Sequence, residues 1–191
     1  MNIIAGAARG VVLNVPPGIP VRPTAGRVRK ALFDSLGDLS NEHILDLFSG
    51  SGALALESLS RGAVSAAMVE LSSQHISCIE SNIKTVRNTG VDAPISLISA
   101  DATRPETYLA RLKNIPTLIF ADPPYAESGA FFRTICSDKT FREAFDGAML
   151  VWEIPDTPGA RGDFINAPNF DDGALRNLGG VWFFIGTVKK S

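Results

Sequence analysis

The residues best suited to chemistry stand at the carboxyl ends of apolar runs. Asp122-Pro123-Pro124-Tyr125 follows residues 117–121, an apolar stretch that reads as a buried strand. In an open α/β sheet, that edge is where ligands bind. Two prolines fix φ and donate no N–H, which stiffens the turn and leaves its carbonyls facing outward. A carboxylate oxygen of Asp122 and the carbonyl of Pro123 can each accept a hydrogen from a planar exocyclic amine. Two such acceptors pull the nitrogen toward sp3 and aim its lone pair at an electrophile, while Tyr125 stacks on the ring. This is catalysis by positioning and electrostatics. A paired base cannot enter such a site, so it must be unpaired or flipped. The plainer alternative makes Asp122 a turn residue, and the tetrapeptide alone does not decide between the two.

A second group lies upstream. Gly50-Ser51-Gly52-Ala53-Leu54-Ala55 fits G-x-G-x-x-A, a dinucleotide fingerprint that is weak by itself. Asp46 sits inside the preceding strand, four residues before the first glycine. A carboxylate there is wrong for a pyrophosphate and right for an ammonium or sulfonium. Further acids fall at successive strand ends: Glu70, Asp101 and Asp122. S-adenosylmethionine matches this series. Its amino group suits Asp46, its ribose hydroxyls suit Glu70, and its adenine amine suits Asp101. Phe48, Ser49, Gly50, Ser51 and Gly52 form the loop whose backbone approaches the methionine moiety, bare glycines allowing the approach. Each acid also has a plainer reading as a cap or a solvated carboxylate. Asp101 has it most, because residues 99–103 could equally be a helix-capping turn.

Positioning these groups requires alternating strands and helices. Strands are expected at 44–48, 66–70, 95–98, 117–121, 148–153 and 181–188, with a shorter one before Gly179. Helices are expected at 53–59, at 73–87 on an Ile76, Ile79, Ile83, Val86 stripe, around 105–113, and once or twice within 128–145. Residues 155–168, rich in Pro, Gly and Asp, read as a loop. The alternation predicts a mostly parallel, doubly wound α/β sheet whose final pair adds an antiparallel edge. Ahead of it, residues 2–5 and 11–14 read as a β-hairpin with Arg9 at its tip. Pro16-Pro17-Gly18 breaks structure. Arg22-Pro23-Thr24 leads into a helix with Thr24 as N-cap and Ala25, Val28, Leu32 and Leu36 as its buried stripe. The expected division is 1–38 for this extension and 39–191 for the sheet domain.

The 191 residues carry a net charge of −2, and that total hides an asymmetry. Residues 1–33 hold Arg9, Arg22, Arg27, Arg29 and Lys30 and no acid, so the head is +5 and the remainder −7. A basic head on an acidic body suggests contact with a polyanion, with these five residues meeting phosphates. A solvated helix face is the alternative for Arg27 and Lys30. The two cysteines, Cys78 and Cys136, and the two histidines, His43 and His75, show no metal-ligand spacing. Buried free thiols in a reducing cytoplasm, no zinc chemistry and no Ser/His/Asp triad are the expectations. No apolar run reaches the ~18 residues of a membrane span, and no charged n-region precedes an apolar stretch, so a signal peptide is not expected.

Taken together, the motifs resemble the RsmD-type bacterial 16S ribosomal RNA guanine-N2 methyltransferases. The matching stretches are Ile3-Ile4-Ala5-Gly6 with Arg9-Gly10, Arg22-Pro23-Thr24 with Arg27-Val28-Arg29, and the run from Asp46 through Leu54. Glu57 with Leu59-Ser60-Arg61-Gly62-Ala63, Val69-Glu70 and the Asp122 tetrapeptide complete them. The family usually has an acidic residue at Gly26 and Glu at Lys30; both departures make the head more basic. After Tyr125 the match is weak. The resemblance implies a Rossmann-like class I methyltransferase fold, S-adenosylmethionine as donor, and a guanine of small-subunit RNA as acceptor. It also implies an RNA-gripping N-terminal element. A monomer acting on 16S ribosomal RNA or the small subunit, without metal or membrane, is expected. A DNA adenine exocyclic-amine methyltransferase shares the tetrapeptide but usually needs an added recognition region. A nicotinamide oxidoreductase and a non-catalytic RNA-binding relic are the remote alternatives.

Overall fold

The computed structural model describes residues 1–16, 25–157, 159–165 and 167–190. Arg22 and Thr24 therefore lie outside the described residues. The elements are α1 (Ala25–Leu36), β1 (His43–Leu47), α2 (Ala53–Ser60), β2 (Ser65–Glu70), α3 (Ser73–Arg87) and β3 (Ile95–Ser99). They continue as β4 (Leu118–Ala121), α4 (Ser128–Ser137), α5 (Lys139–Ala144), β5 (Met149–Ile154), β6 (Phe170–Leu178) and β7 (Val181–Val188).

The strands form one seven-stranded sheet in the order β3-β2-β1-β4-β5-β7-β6. β1 to β5 pair in parallel. β7 is antiparallel to β5, and β6 is antiparallel to β7. The parallel majority and the antiparallel edge are those expected from the sequence, and the shorter strand before Gly179 is in fact nine residues long. The chain steps outward through β2 and β3 on one side of β1, then through β4 and β5 on the other. That reversal opens a crevice at the carboxyl ends of β1 and β4. Leu47 pairs with Ala121 there, so Phe48 and Asp122 are the first residues beyond the paired register.

Period-two alternation divides the core. Ile44, Met68, Phe120, Val151 and Phe183 face one side, with Leu56, Leu59, Ile79 and Val86 of α2 and α3. Leu45, Val69, Ile119, Leu150 and Trp152 face the other, with Phe132, Ile135 and Phe141 of α4 and α5. Both faces of a parallel sheet must be covered, which explains the near-continuous apolar strands. The N-terminal extension joins the first side: Ile3, Ala8, Leu13, Val28, Leu32 and Phe33 belong to the same core.

Three local expectations differ from the structure. Residues 105–113 form two 3₁₀ turns, Pro105–Thr107 and Leu109–Arg111, rather than one helix. Each turn is only three residues long, and fully buried Tyr108 anchors the corner between them. The 155–168 loop contains a 3₁₀ turn, Ala160–Phe164, held by buried Phe164. The hairpin has one antiparallel bridge, Asn2 to Val12, with Ile3 N donating to Val11 O and Leu13 N to Met1 O across it, and its turn is also bonded to α2.

Candidate active site

The glycine loop is fastened to β2 by its own backbone. Ser49 donates its N–H to Val69 O at 3.1 Å and its hydroxyl to Asp46 O at 2.6 Å. Phe48 has φ 60°, an uncommon value for a residue with a side chain. Gly52 takes φ 75°, and a Cβ there would stand 3.0 Å from Met68 Sδ. The left-handed turn therefore delivers the loop to the sheet edge only with glycine at that position.

Glu70 ends β2 and is 8% exposed. Oε2 accepts from Gly50 N at 2.8 Å. Oε1 accepts from Leu71 N at 2.9 Å and Ser72 N at 2.8 Å. His75 Nδ1 lies 3.4 Å from Oε2. The carboxylate thus locks the glycine loop to the start of α3, which Ser72 caps. Asp46 is 2% exposed and accepts from Ala55 N at 3.3 Å. Burial pushes its carboxyl up to about 7, Glu70 adds to the rise, and the Ala55 N–H opposes it. A buried acid in that state is stabilised by a cation delivered beside it. That is the fit expected of an amino-acid ammonium, and S-adenosylmethionine carries one. Asp101 takes the plainer of its two readings: Oδ1 accepts from Thr103 N at 2.9 Å and Thr103 Oγ1 at 2.7 Å, an Asx turn. It still stands just past β3, whose Ser99 is in register with Glu70.

On the other side of the crevice, Asp122 is exposed and Pro123 buried. The carbonyls of Pro124 and Tyr125 do not face outward. They accept from Glu127 N at 3.2 Å and Ser128 N at 3.4 Å as the chain turns into α4. The Tyr125 hydroxyl donates to Glu153 Oε1 at 2.8 Å. Between the two halves, the Phe48 ring stacks on Phe131 at 5.6 Å and 2°, and meets Trp152 edge-on at 6.1 Å. Trp152 Nε1 donates to buried Ser128 Oγ at 3.0 Å. These aromatic contacts join the glycine loop to α4 and β5, the elements on either side of the crevice's second half.

The basic head divides. Arg9 is exposed on the hairpin turn. Arg27 is exposed on α1, its Nη2 donating to Gly179 O at 3.3 Å in the β6–β7 turn. Lys30 is 61% exposed and pairs with Asp34 at 2.5 Å. Arg29 is the correction, because it points inward and is 6% exposed. It donates to Asn2 O and lies 3.8 Å from buried Glu57, which also binds Arg61 at 2.8 Å. Burial above all lowers its pKa, and Arg61 adds to that while Glu57 opposes it. A guanidinium spent on holding the extension in place is not available to a phosphate.

Residue spacing alone left four participants unassigned: Glu153, His75, Phe131 and Glu57. Glu153 carries the same signal as the other acids, a carboxylate at a strand end. The other three depend on contacts between elements distant in sequence. Among the described residues, no group of three or more His, Cys, Asp or Glu could hold a metal ion, and no helix is long and apolar enough to cross a membrane.

A family model described as Conserved hypothetical protein 95 matches residues 1–160. The chain is 33% identical over 126 residues to Ribosomal RNA small subunit methyltransferase D of Escherichia coli K12, covering 65% of this chain and 60% of that relative. A solved Thermus thermophilus protein described as hypothetical superposes with TM-score 0.70 at 29% identity, covering 98% of this chain and 99% of that one. A Bacillus cereus O-methyltransferase in complex with SAH shares the fold at TM-score 0.57 and 15% identity, over 91% of this chain and 84% of that one.

Proposed function

Because the chain belongs to the family described as Conserved hypothetical protein 95, we propose that it transfers a methyl group from S-adenosylmethionine to the exocyclic N2 amine of a guanine in 16S ribosomal RNA. The observation that carries this reading is one sheet edge bearing both halves of the chemistry. Asp46, Glu70 and the glycine loop lie at the ends of β1 and β2; Asp122 and Pro123 lie past β4, adjacent to β1. The relative's name supports ribosomal RNA as the acceptor, and the exposed cations on the hairpin and α1 support a polyanion.

When bound, S-adenosylmethionine supplies an electrophilic methyl on a sulfonium. This chain's residues do the rest. Asp46 holds the ammonium, Glu70 the ribose hydroxyls, and the Phe48–Gly52 loop the methionine backbone. The turn after β3, at Asp101, faces the adenine. Asp122 and Pro123 accept the two amine hydrogens and fix the nitrogen lone pair toward the methyl. Tyr125, braced by Glu153, stacks on the base. Arg9, Arg22, Arg27 and Lys30 hold backbone phosphates, and the protein works as a cytoplasmic monomer.

The deciding experiment follows labelled methyl from S-adenosylmethionine into small ribosomal subunits from cells lacking this protein and, in parallel, into duplex DNA. Label in ribosomal RNA recovered as N2-methylguanosine is the expected result. Label in DNA alone would assign the tetrapeptide to adenine and end the reading.

A further inference from the structure

We propose that Glu153 selects guanine by accepting a hydrogen bond from the ring N1–H of the base, an inference that rests on the N2-methylation reading above. Three observations support it. β4 and β5 run parallel with Ala121 opposite Trp152, so Asp122 and Glu153 are the next residues on neighbouring strands. Phe120 and Val151 face one core while Ala121 and Trp152 face the other. Continuing that alternation puts Asp122 and Glu153 on the same side. The Tyr125 hydroxyl at 2.8 Å then ties the Glu153 carboxylate to the ring that stacks on the base. A carboxylate has about four acceptor positions on its two oxygens, so accepting from one hydroxyl does not by itself use up the group.

The chemistry of the bases makes this position discriminating. Guanine presents its N2 amine directly beside a ring N1–H, two donors side by side. Asp122 and Pro123 engage the amine, and the neighbouring carboxylate accepts from N1–H. Adenine and cytosine present amines flanked by a ring lone pair. Either would set that lone pair against a carboxylate oxygen of Glu153, two acceptors face to face. Acidic side chains read donors on base edges by the same logic. The acid that completes the strand-end series would thus decide which base is methylated, whereas Asp122 decides only that an amine is.

The test uses the RNA around the nucleotide that the wild-type protein methylates, made with either guanine or 2-aminopurine there. 2-Aminopurine keeps the N2 amine and has a lone pair at ring N1. Wild type should favour guanine in kcat/KM by about 10–100-fold, the worth of a hydrogen bond to a charged group. Glu153→Gln should narrow that ratio at least tenfold, because its carboxamide N–H can donate to the N1 lone pair. S-adenosylhomocysteine affinity should stay at the wild-type value and certify folding. If that variant fails to bind it, Glu153→Asp, which withdraws the carboxylate by one methylene, should narrow the ratio instead. Equal losses on both bases would make Glu153 only a brace for Tyr125 and overturn the proposal. So would a wild type that methylates 2-aminopurine as fast as guanine, with no variant needed. A product other than N2-methylguanosine removes the underlying reading and this one with it. N2-methylguanosine with an unmoved ratio removes this one alone.

Discussion

Asp46 and Asp122 flank the crevice, and the proposed function gives the same functional group opposite jobs at the two positions. Asp122 is exposed at the mouth of the crevice, where the proposed role has its carboxylate accept from an amine. Replacing it by Ala should lower methyl transfer by at least about 100-fold, the scale of losing one pre-placed electrostatic partner. S-adenosylhomocysteine binding should remain intact by calorimetry, and retained activity would remove Asp122 from the chemistry. Asp46 is buried, with its pKa raised to about 7. Its folded pKa lies above its unfolded one, so the folded state holds a proton that the unfolded state has released. Stability from this group is full at low pH and is lost as pH rises through about 7. Ligand-free wild type should therefore lose thermal stability between about pH 5 and 7.5 more steeply than Asp46→Asn. Binding of the cationic ammonium follows the ionised form. S-adenosylhomocysteine affinity should rise with pH up to about 7, by at most tenfold per unit, and Asp46→Asn should flatten the rise. Equal pH profiles for both proteins would place the ammonium elsewhere.

At the scale of elements, α2 is the hinge between the basic extension and the cofactor loop. Its first turn receives the glycine loop. Its middle carries Glu57, 0% exposed, which accepts from Ile4 N at 2.7 Å and Ala5 N at 3.1 Å and sits against Arg29 and Arg61. Its end offers Ser60, whose hydroxyl accepts from Ala8 N at 2.9 Å and whose carbonyl accepts from Ala7 N at 2.8 Å. The close approach excludes a side chain at Gly6, where a Cβ would fall 1.7 Å from Ser60 O. An isolated two-stranded hairpin is marginal in water, and Glu57 and Ser60 of α2 add bonds that hold its turn. Glu57→Ala strands the buried Arg29 charge and two backbone donors. Chemical denaturation should show a loss of about 3 kcal/mol. A change below about 1 kcal/mol, the scale of a single hydrogen bond, would mean that the apolar contacts alone hold the extension. Glu57 and Arg61 are visible in the family motif of the sequence, but nothing in their spacing says that they anchor a segment far upstream in the chain.

Over the whole molecule, the charge asymmetry becomes a surface. α1 lies against the β6–β7 turn, where a Cβ on Gly179 would meet Val28 Cα at 2.8 Å. β6 ends and β7 begins at the edge where β5 presents Glu153, opposite Phe183. Arg27 therefore borders the edge that bears the tetrapeptide. On the proposed function, RNA held by Arg27 would lead toward Asp122 and Glu153. Arg27→Ala with Lys30→Ala should reduce the slope of log affinity against log salt by about 0.7 for each phosphate that is no longer neutralised. Filter binding at several salt concentrations measures it, and an unchanged slope would return both residues to the solvated helix face. Arg29→Ala, by contrast, should act on stability more than on the slope.

The sequence by itself determined the strand-helix alternation, the parallel sheet with its antiparallel edge, and the acids at strand ends. Those features follow from apolar periodicity and from turn residues, both local in the chain. The tertiary structure decided what depends on elements meeting. It turned Arg29 inward to a buried carboxylate, assigned the Asp101 oxygen to its own turn, and folded two of the tetrapeptide's carbonyls into the start of α4. It also set Glu153 beside Tyr125. Tyr125–Glu153 and Arg29–Glu57 each join residues 28 apart in the chain, and residue spacing carries no record of that packing; Asp101 and the tetrapeptide carbonyls find partners two or three residues on, where several local turns compete.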